Sequence, residues 1–163
     1  VVGERRRADM ANIVGKATIL IDRSTDVVWD WVVNPANTPL WVHDVDEPGS
    51  WIGEGSASVG SKYRIDYKYG RKTNEIIFEV LDADRGNSFI VNTVEGPYPI
   101  LVEYGFDSTN DGSGTYLTIY MNARSDSAFT AAMFVVTGWF AKWFMQRRLK
   151  NELEDVKAEV EKI

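Results

Sequence analysis

The chain has 163 residues, 44% hydrophobic and 26% charged, which suits one soluble globular domain with a sizeable core. A formal net charge of -6 sets the surface as a whole against phosphate backbones, so nucleic acid is not an expected partner. With no cysteine, disulfides, thiolate chemistry and cysteine-ligated metals are excluded, and cytoplasmic residence is the default expectation.

Residues 1–11 read as a flexible N-terminal segment and 12–163 as a single domain. The Arg5-Arg6-Arg7 cluster is too short to reverse the acidic balance and reads as a solvated end. No apolar stretch of leader type follows it, so no secretory signal is expected. Asn12 to Asp22 has the branched, apolar character of a first strand. Ser24, Thr25 and Asp26 offer helix caps for DVVWDWVV, which must stop before Asn34-Pro35 because the residue before proline is pushed out of the α region. PANTPLW predicts a second short helix or turn.

From Asp44 to Arg124 the pattern is one of strands and turns. Trp51 and its neighbours predict a short strand ahead of the glycine-bearing connection GEGSASVG. KYRIDYKY alternates strictly, placing Tyr63, Ile65, Tyr67 and Tyr69 on one face. NEIIFEVLD follows with Ile76, Phe78 and Val80 inward, then NSFIVNTVE, ILVEYGFD and TYLTIYMNA, separated by DRGN, EGPYP and NDGSG. Turns of this composition at this spacing predict an antiparallel meander.

After Asp126, which with Ser125 and Ser127 can cap a helix, no proline occurs, and one long helix is expected to the end. Leu149, Leu153, Val156, Val160 and Ile163 form a single apolar stripe on its last part. Its first part, Ala128 to Met145, carries only Lys142 as a charge, and the uncharged run to Ala141 is shorter than the roughly 20 residues a membrane crossing needs. A helix apolar nearly all round is instead expected to be gripped by a curved sheet. No integral membrane span is expected, while transient membrane contact and oligomeric state stay open.

STDVVWDWV after the first strand, Pro39-Leu40-Trp41, VGSKYR from Val59, GTYLT from Gly114 and the terminal RRLKNELEDVKAEVEKI carry a resemblance. In this order they make the chain similar to the START-like, helix-grip proteins of the polyketide cyclase/dehydrase branch, the SRPBCC superfamily. The resemblance implies an α+β helix-grip fold: a curved antiparallel sheet of about seven strands wrapped around a long C-terminal helix, with two short helices after the first strand. It also implies a deep apolar cavity between sheet and helix, in which relatives hold lipids, sterols, isoprenoid quinones or polyketide chains. LDADRGNSF lacks the proline that many relatives have between the two middle strands, leaving the hairpin there open.

Six Trp, seven Tyr and seven Phe are more aromatics than a dry aliphatic core needs, and Tyr and Trp bring polar atoms that want partners when buried. The residues expected to contact a ligand are Trp41, Tyr63, Tyr67, Phe78, Asn92, Tyr104, Met133, Trp139 and Trp143. Plain core filling is the competing reading for each. Asn92, on the face of Ile90 and Val94, either bonds a tyrosine, bonds a ligand, or signals a strand register one residue off. His43 is the only histidine, so any histidine-based catalysis or metal site must use it, and beside Asp44 it reads as a rim residue. No metal or nucleotide motif is present, so neither a metal nor a cofactor is expected. Glu79, Glu95 and Glu103 fall on the outer face and give no support to carboxylate-pair hydrolysis.

The leading expectation is therefore non-catalytic binding or transport of a small hydrophobic molecule. A cyclase or dehydratase of polyketide type is the alternative, with no catalytic residue assigned and with His43, Arg64 and Arg124 as the ionisable groups that could reach a cavity. A protein-interaction module of the same fold is the third.

Overall fold

The computed structural model describes residues 12–69, 71–97, 99–124 and 128–163, with the side chains of the C-terminal helix described from Lys142 onward. The expected flexible segment 1–11, with its Arg5-Arg6-Arg7 cluster, and the helix caps at Ser125–Ser127 lie outside the described residues.

Strand β1 (Asn12–Ile21) leads into helix α1 (Thr25–Val32) and a 3₁₀ helix (Pro35–Leu40). Five long strands follow the two-residue β2 (Ser50–Trp51): β3 (Lys62–Tyr69), β4 (Lys72–Asp84), β5 (Ser88–Glu95), β6 (Ile100–Ser108) and β7 (Thr115–Arg124). Helix α2 (Ala128–Val160) ends the chain. The sheet has seven strands in the order β1-β7-β6-β5-β4-β3-β2, antiparallel throughout, with β1 and β2 at its edges. Two register shifts in β4, at Ile77/Phe78 and Val80/Asp82, bend the strand and help the sheet curve.

The helix starts and stops follow from local chemistry. Ser24 stands at the N-cap of α1 in extended conformation, though its hydroxyl makes no capping bond, and Asp26 in the first turn suits the helix dipole. Asn34 caps the 3₁₀ helix by accepting from the Ala36 N–H at 3.1 Å. In the DRGN turn Gly86 adopts a positive φ of 80°, and the Asn87 N–H returns to Asp84 O at 2.9 Å. A glycine thus closes the hairpin between β4 and β5.

The concave face packs Ile21, Val80, Val91, Leu117 and Ile119 against Leu149, Leu153, Val156 and Val160 of α2, all buried. Ile163, expected to extend that stripe, lies beyond the helix end and is 71% exposed. Close approach of α2 to β1 requires Gly15, where a Cβ would come within 2.8 Å of Leu149 Cδ1 and 2.9 Å of Met145 Cγ. The helix also bonds the outer edge of β1. Gln146 accepts from the Lys16 N–H at 3.0 Å and donates to the Lys16 carbonyl, Lys157 Nζ reaches Leu20 O at 2.7 Å, and Glu161 accepts from the Asp22 N–H at 2.8 Å.

Candidate functional site: an apolar cavity with a polar end

A cavity of about 330 Å³ lies between the concave sheet and α2. Alternation delivers one face of each strand to it: Ile65 and Tyr67 from β3, Ile76 and Phe78 from β4, Ile100 and Val102 from β6, Met121 and Ala123 from β7. Ile13, Val42 and Pro97 complete the sheet side, and α2 contributes Phe144, Met145, Arg148, Leu149 and Glu152 along one face.

Arg148 and Glu152 are the charged members of this lining, and they organise a cluster at its edge. Arg148 Nε donates to Glu152 Oε1 at 2.9 Å across one helical turn. Arg148 Nη1 donates to the Tyr67 hydroxyl at 2.7 Å and to Asp44 Oδ2 at 3.3 Å, and Nη2 donates to His43 O at 2.5 Å. The guanidinium also lies 5.5 Å over the Tyr67 ring. Glu152 Oε1 takes a second bond from the His43 N–H at 3.0 Å. Asp44, at a positive φ of 68° that aspartate tolerates better than most residues, turns the loop so that its own carbonyl accepts from the Lys68 N–H at 2.8 Å. The loop is thereby pinned to β3 on one side and α2 on the other.

Burial decides the electrostatics. Glu152 is only 3% exposed, and desolvation pushes its carboxyl above the usual carboxylate range despite opposition from Arg148 and the His43 N–H. Arg148 is less deeply placed; burial disfavours its charge, but Glu152 and Tyr67 more than offset this, and its pKa is raised. The Tyr67 phenol is raised by burial, with Arg148 opposing. Tyr63 and Tyr104 are raised by burial and stay neutral at any physiological pH.

Of the residues expected to contact a ligand, Tyr67 and Phe78 line the cavity. Tyr63 stacks on Phe78 with ring centroids 5.2 Å apart, in the core behind the wall. Trp41 and Tyr104 pack edge to face at 6.4 Å and are likewise core, not lining; Trp41 Nε1 is buried without a hydrogen-bond partner. Phe89 and Val91 are the buried face of β5, and Asn92 lies on the other face with Ile90 and Val94, its Oδ1 buried without a hydrogen-bond partner. Trp143 is not among the residues lining this cavity; it is 50% exposed with the Arg147 guanidinium 5.5 Å over its ring, while Phe144, Met145 and Arg148 line the cavity from α2. The side chains of Met133, Trp139 and Tyr69 lie outside the described residues.

The ionisable candidates fare differently. Arg64 is exposed, bonded to Ser50 and paired with Glu75, and Arg124 is exposed at the end of β7; neither lines the cavity. The His43 ring is half exposed with Nε2 3.3 Å from Asp155 Oδ2, a rim position, while its backbone belongs to the polar cluster. Arg148, Glu152 and Asp44 were not singled out by sequence reasoning. The available signal was Glu152 itself, a charge set within the stripe Leu149, Leu153, Val156.

The family described as polyketide cyclase/dehydrase and lipid transport matches residues 13–161. No curated protein matches the chain in sequence. Among solved structures, the Zhui aromatase/cyclase from Streptomyces sp. R1128 is similar with a TM-score of 0.68 at 14% identity, over 93% of this chain and 94% of that one. A START superfamily protein from Mycobacterium smegmatis gives 0.64 at 11%, over 91% and 97%. A norcoclaurine synthase point mutant from Thalictrum flavum gives 0.63 at 12%, over 94% and 97%. At these identities the likeness is one of fold: a curved antiparallel sheet holding a C-terminal helix, the helix-grip arrangement.

Proposed function

Because this chain belongs to the polyketide cyclase/dehydrase and lipid transport family, we propose that it binds or carries a small hydrophobic molecule, of lipid, isoprenoid or polyketide type, between its sheet and α2. The observation that carries this is the 330 Å³ cavity with its nearly unbroken wall of Ile, Val, Met, Phe and Leu side chains. That volume falls within the range of small-molecule sites, at its lower end. Burial of apolar ligand surface, at about 25 cal/mol per Å², supplies the affinity, and the Tyr67–Arg148–Glu152 end supplies orientation. Cytoplasmic residence belongs to this reading on the ground of the cysteine-free sequence.

Native mass spectrometry of freshly purified protein should show a co-purifying small molecule, and the uncharged probe N-phenyl-1-naphthylamine should bind with enhanced emission. Absence of both signals overturns the reading.

One observation favours a second reading, cyclase or dehydratase chemistry. Glu152 is a buried carboxyl of raised pKa at a cavity wall, the kind of group that can move a proton to or from a bound chain. Turnover of a polyketide-like ketone that disappears in Glu152→Gln would select it over plain binding.

A further inference from the structure

Two adjacent aromatic residues of α2 stand half in solvent, Trp143 at 50% and Phe144 at 55% exposure. Phe144 also belongs to the cavity wall with Ile13, Pro97 and Ala123, so this outer apolar surface is continuous with the cavity. Gln146 is bonded to Lys16 and Glu161 to Asp22, so α2 runs parallel to β1, and Trp143, about one turn ahead of Gln146, lies toward the start of β1. Ile13 pairs with Ala123 and Ala123 with Ile100, which brings the end of β7 and the exposed Pro97 of the β5–β6 turn to the same end of the sheet.

Charge is sorted along α2. Lys142 to Lys150 contains four cations and no carboxylate, whereas from Glu152 onward five carboxylates accompany two lysines. Arg148 turns inward to Asp44 and Glu152. Lys142, Arg147 and Lys150 are exposed, as is Arg124 at the end of β7, and among the described residues none of these four is in an ion pair; Glu95 is the exposed carboxylate of the neighbouring turn. On the rest of the sheet surface, by contrast, Lys62, Arg64, Lys68 and Arg85 each have a carboxylate partner. The Arg147 guanidinium lies over the Trp143 ring, so cation and aromatic are presented together.

We propose that this end of the molecule docks on an anionic phospholipid bilayer. Trp143 and Phe144 enter the interfacial region, and Arg124, Lys142, Arg147 and Lys150 meet the headgroup phosphates. The net charge of -6 opposes any other approach to an anionic surface, so the field of the protein turns this end forward. A second copy seated here by two-fold symmetry sets the same cations against one another, whereas a bilayer supplies opposite charge and apolar depth together. Docking goes beyond the ligand-binding reading and is independent of what the cavity holds.

The test is flotation of the full chain with phosphatidylcholine vesicles, with and without about one-third phosphatidylglycerol; partitioning onto the anionic vesicles is at least about tenfold stronger. That preference fades as ionic strength rises from about 0.1 M to about 1 M and the Debye length shrinks from about 10 Å to about 3 Å. Lys142→Gln combined with Arg147→Gln weakens anionic partitioning about tenfold or more, whereas Lys62→Gln combined with Arg64→Gln, an equal loss of charge on β3, weakens it less than about threefold. Trp143→Ala, which removes apolar contact, also weakens it, by about tenfold. Equal partitioning onto both vesicle types, or equal losses in the two double variants, overturns the proposal. Self-association abolished by Trp143→Ala, without vesicle binding, gives the face to a second copy and overturns it too. N-phenyl-1-naphthylamine binding measured without vesicles reports separately on the ligand-binding reading. Should a variant not fold, as judged by circular dichroism, the lipid and salt ranking of the unmodified protein decides.

Discussion

The main-chain N–H of His43 donates to Glu152 Oε1 at 3.0 Å, so a loop that precedes most of the sheet is fastened to the C-terminal part of the last helix. Through this bond and the Arg148–His43 carbonyl bond, the loop ahead of β2 and the last helix share one polar knot at the edge of an apolar cavity. On the proposed ligand-binding reading, stability and ligand orientation depend on the same few atoms.

Arg148→Ala strands the Glu152 carboxylate in its buried position. Breaking one side of a buried pair costs about 3–5 kcal/mol, to be read from urea denaturation curves. Replacing both residues by methionine should recover most of that loss, since an apolar pair of similar volume carries no stranded charge. A single-variant cost below about 1 kcal/mol, the scale of exposed pairs, would show that the knot is not structural.

Trp143→Ala should be mild. At 50% exposure the ring gives up little on truncation, and a cost within about 1 kcal/mol is expected. Trp29→Ala provides the contrast: that ring is 6% exposed, donates to Ser88 O at 3.2 Å and packs edge to face on Phe89, so about 3–5 kcal/mol is expected. Equal losses in the two variants would place Trp143 in the core.

Ala123→Phe projects a ring from β7 into the cavity. The added side chain fills space in place of ligand, so N-phenyl-1-naphthylamine affinity should fall about tenfold or more. The change in thermal midpoint should be small. Unaltered probe affinity in a folded variant would locate probe binding elsewhere.

Acid should loosen the β6–β7 turn. The Asp111 carboxyl is held down at about 2 by the Thr109 hydroxyl, with the Ser113 N–H and hydroxyl adding to the effect. A lowered folded-state value means the contribution is present above the ordinary value of 3.8 and is lost as pH falls toward about 2. Urea midpoints measured across that window should fall less steeply in Asp111→Asn than in the unmodified protein. Parallel slopes would show that the turn does not couple to folding.

The sheet was legible where one face of a strand is apolar and the other is not. Strict alternation in KYRIDYKY set Tyr63, Ile65 and Tyr67 inward, and that is where they lie. In β5 the signal is ambiguous by one residue, because Phe89 and Val91 on one face compete with Ile90 and Val94 on the other; the sequence left the register open at Asn92, and the fold buries Phe89 and Val91. The aromatic spacing on α2 could not tell Trp143 from Phe144, which sit on neighbouring faces of the same turn, until the sheet chose one of them. The polar knot was harder still. Arg148 and Glu152 look like any solvated pair four residues apart, and only tertiary contact with His43 and Asp44 turns them inward.

The bonds from α2 to the outer side of β1 carry a consequence for how copies of this chain treat one another. An edge strand with free N–H and C=O groups is a template on which another molecule's strand can grow. Here Gln146 occupies both backbone groups of Lys16, Lys157 takes the carbonyl of Leu20, and Glu161 takes the N–H of Asp22. The opposite edge, β2, is only two residues long. Detaching α2 would uncover an apolar concave face and free edge groups of β1 together, so one helix covers both surfaces on which another copy could stick.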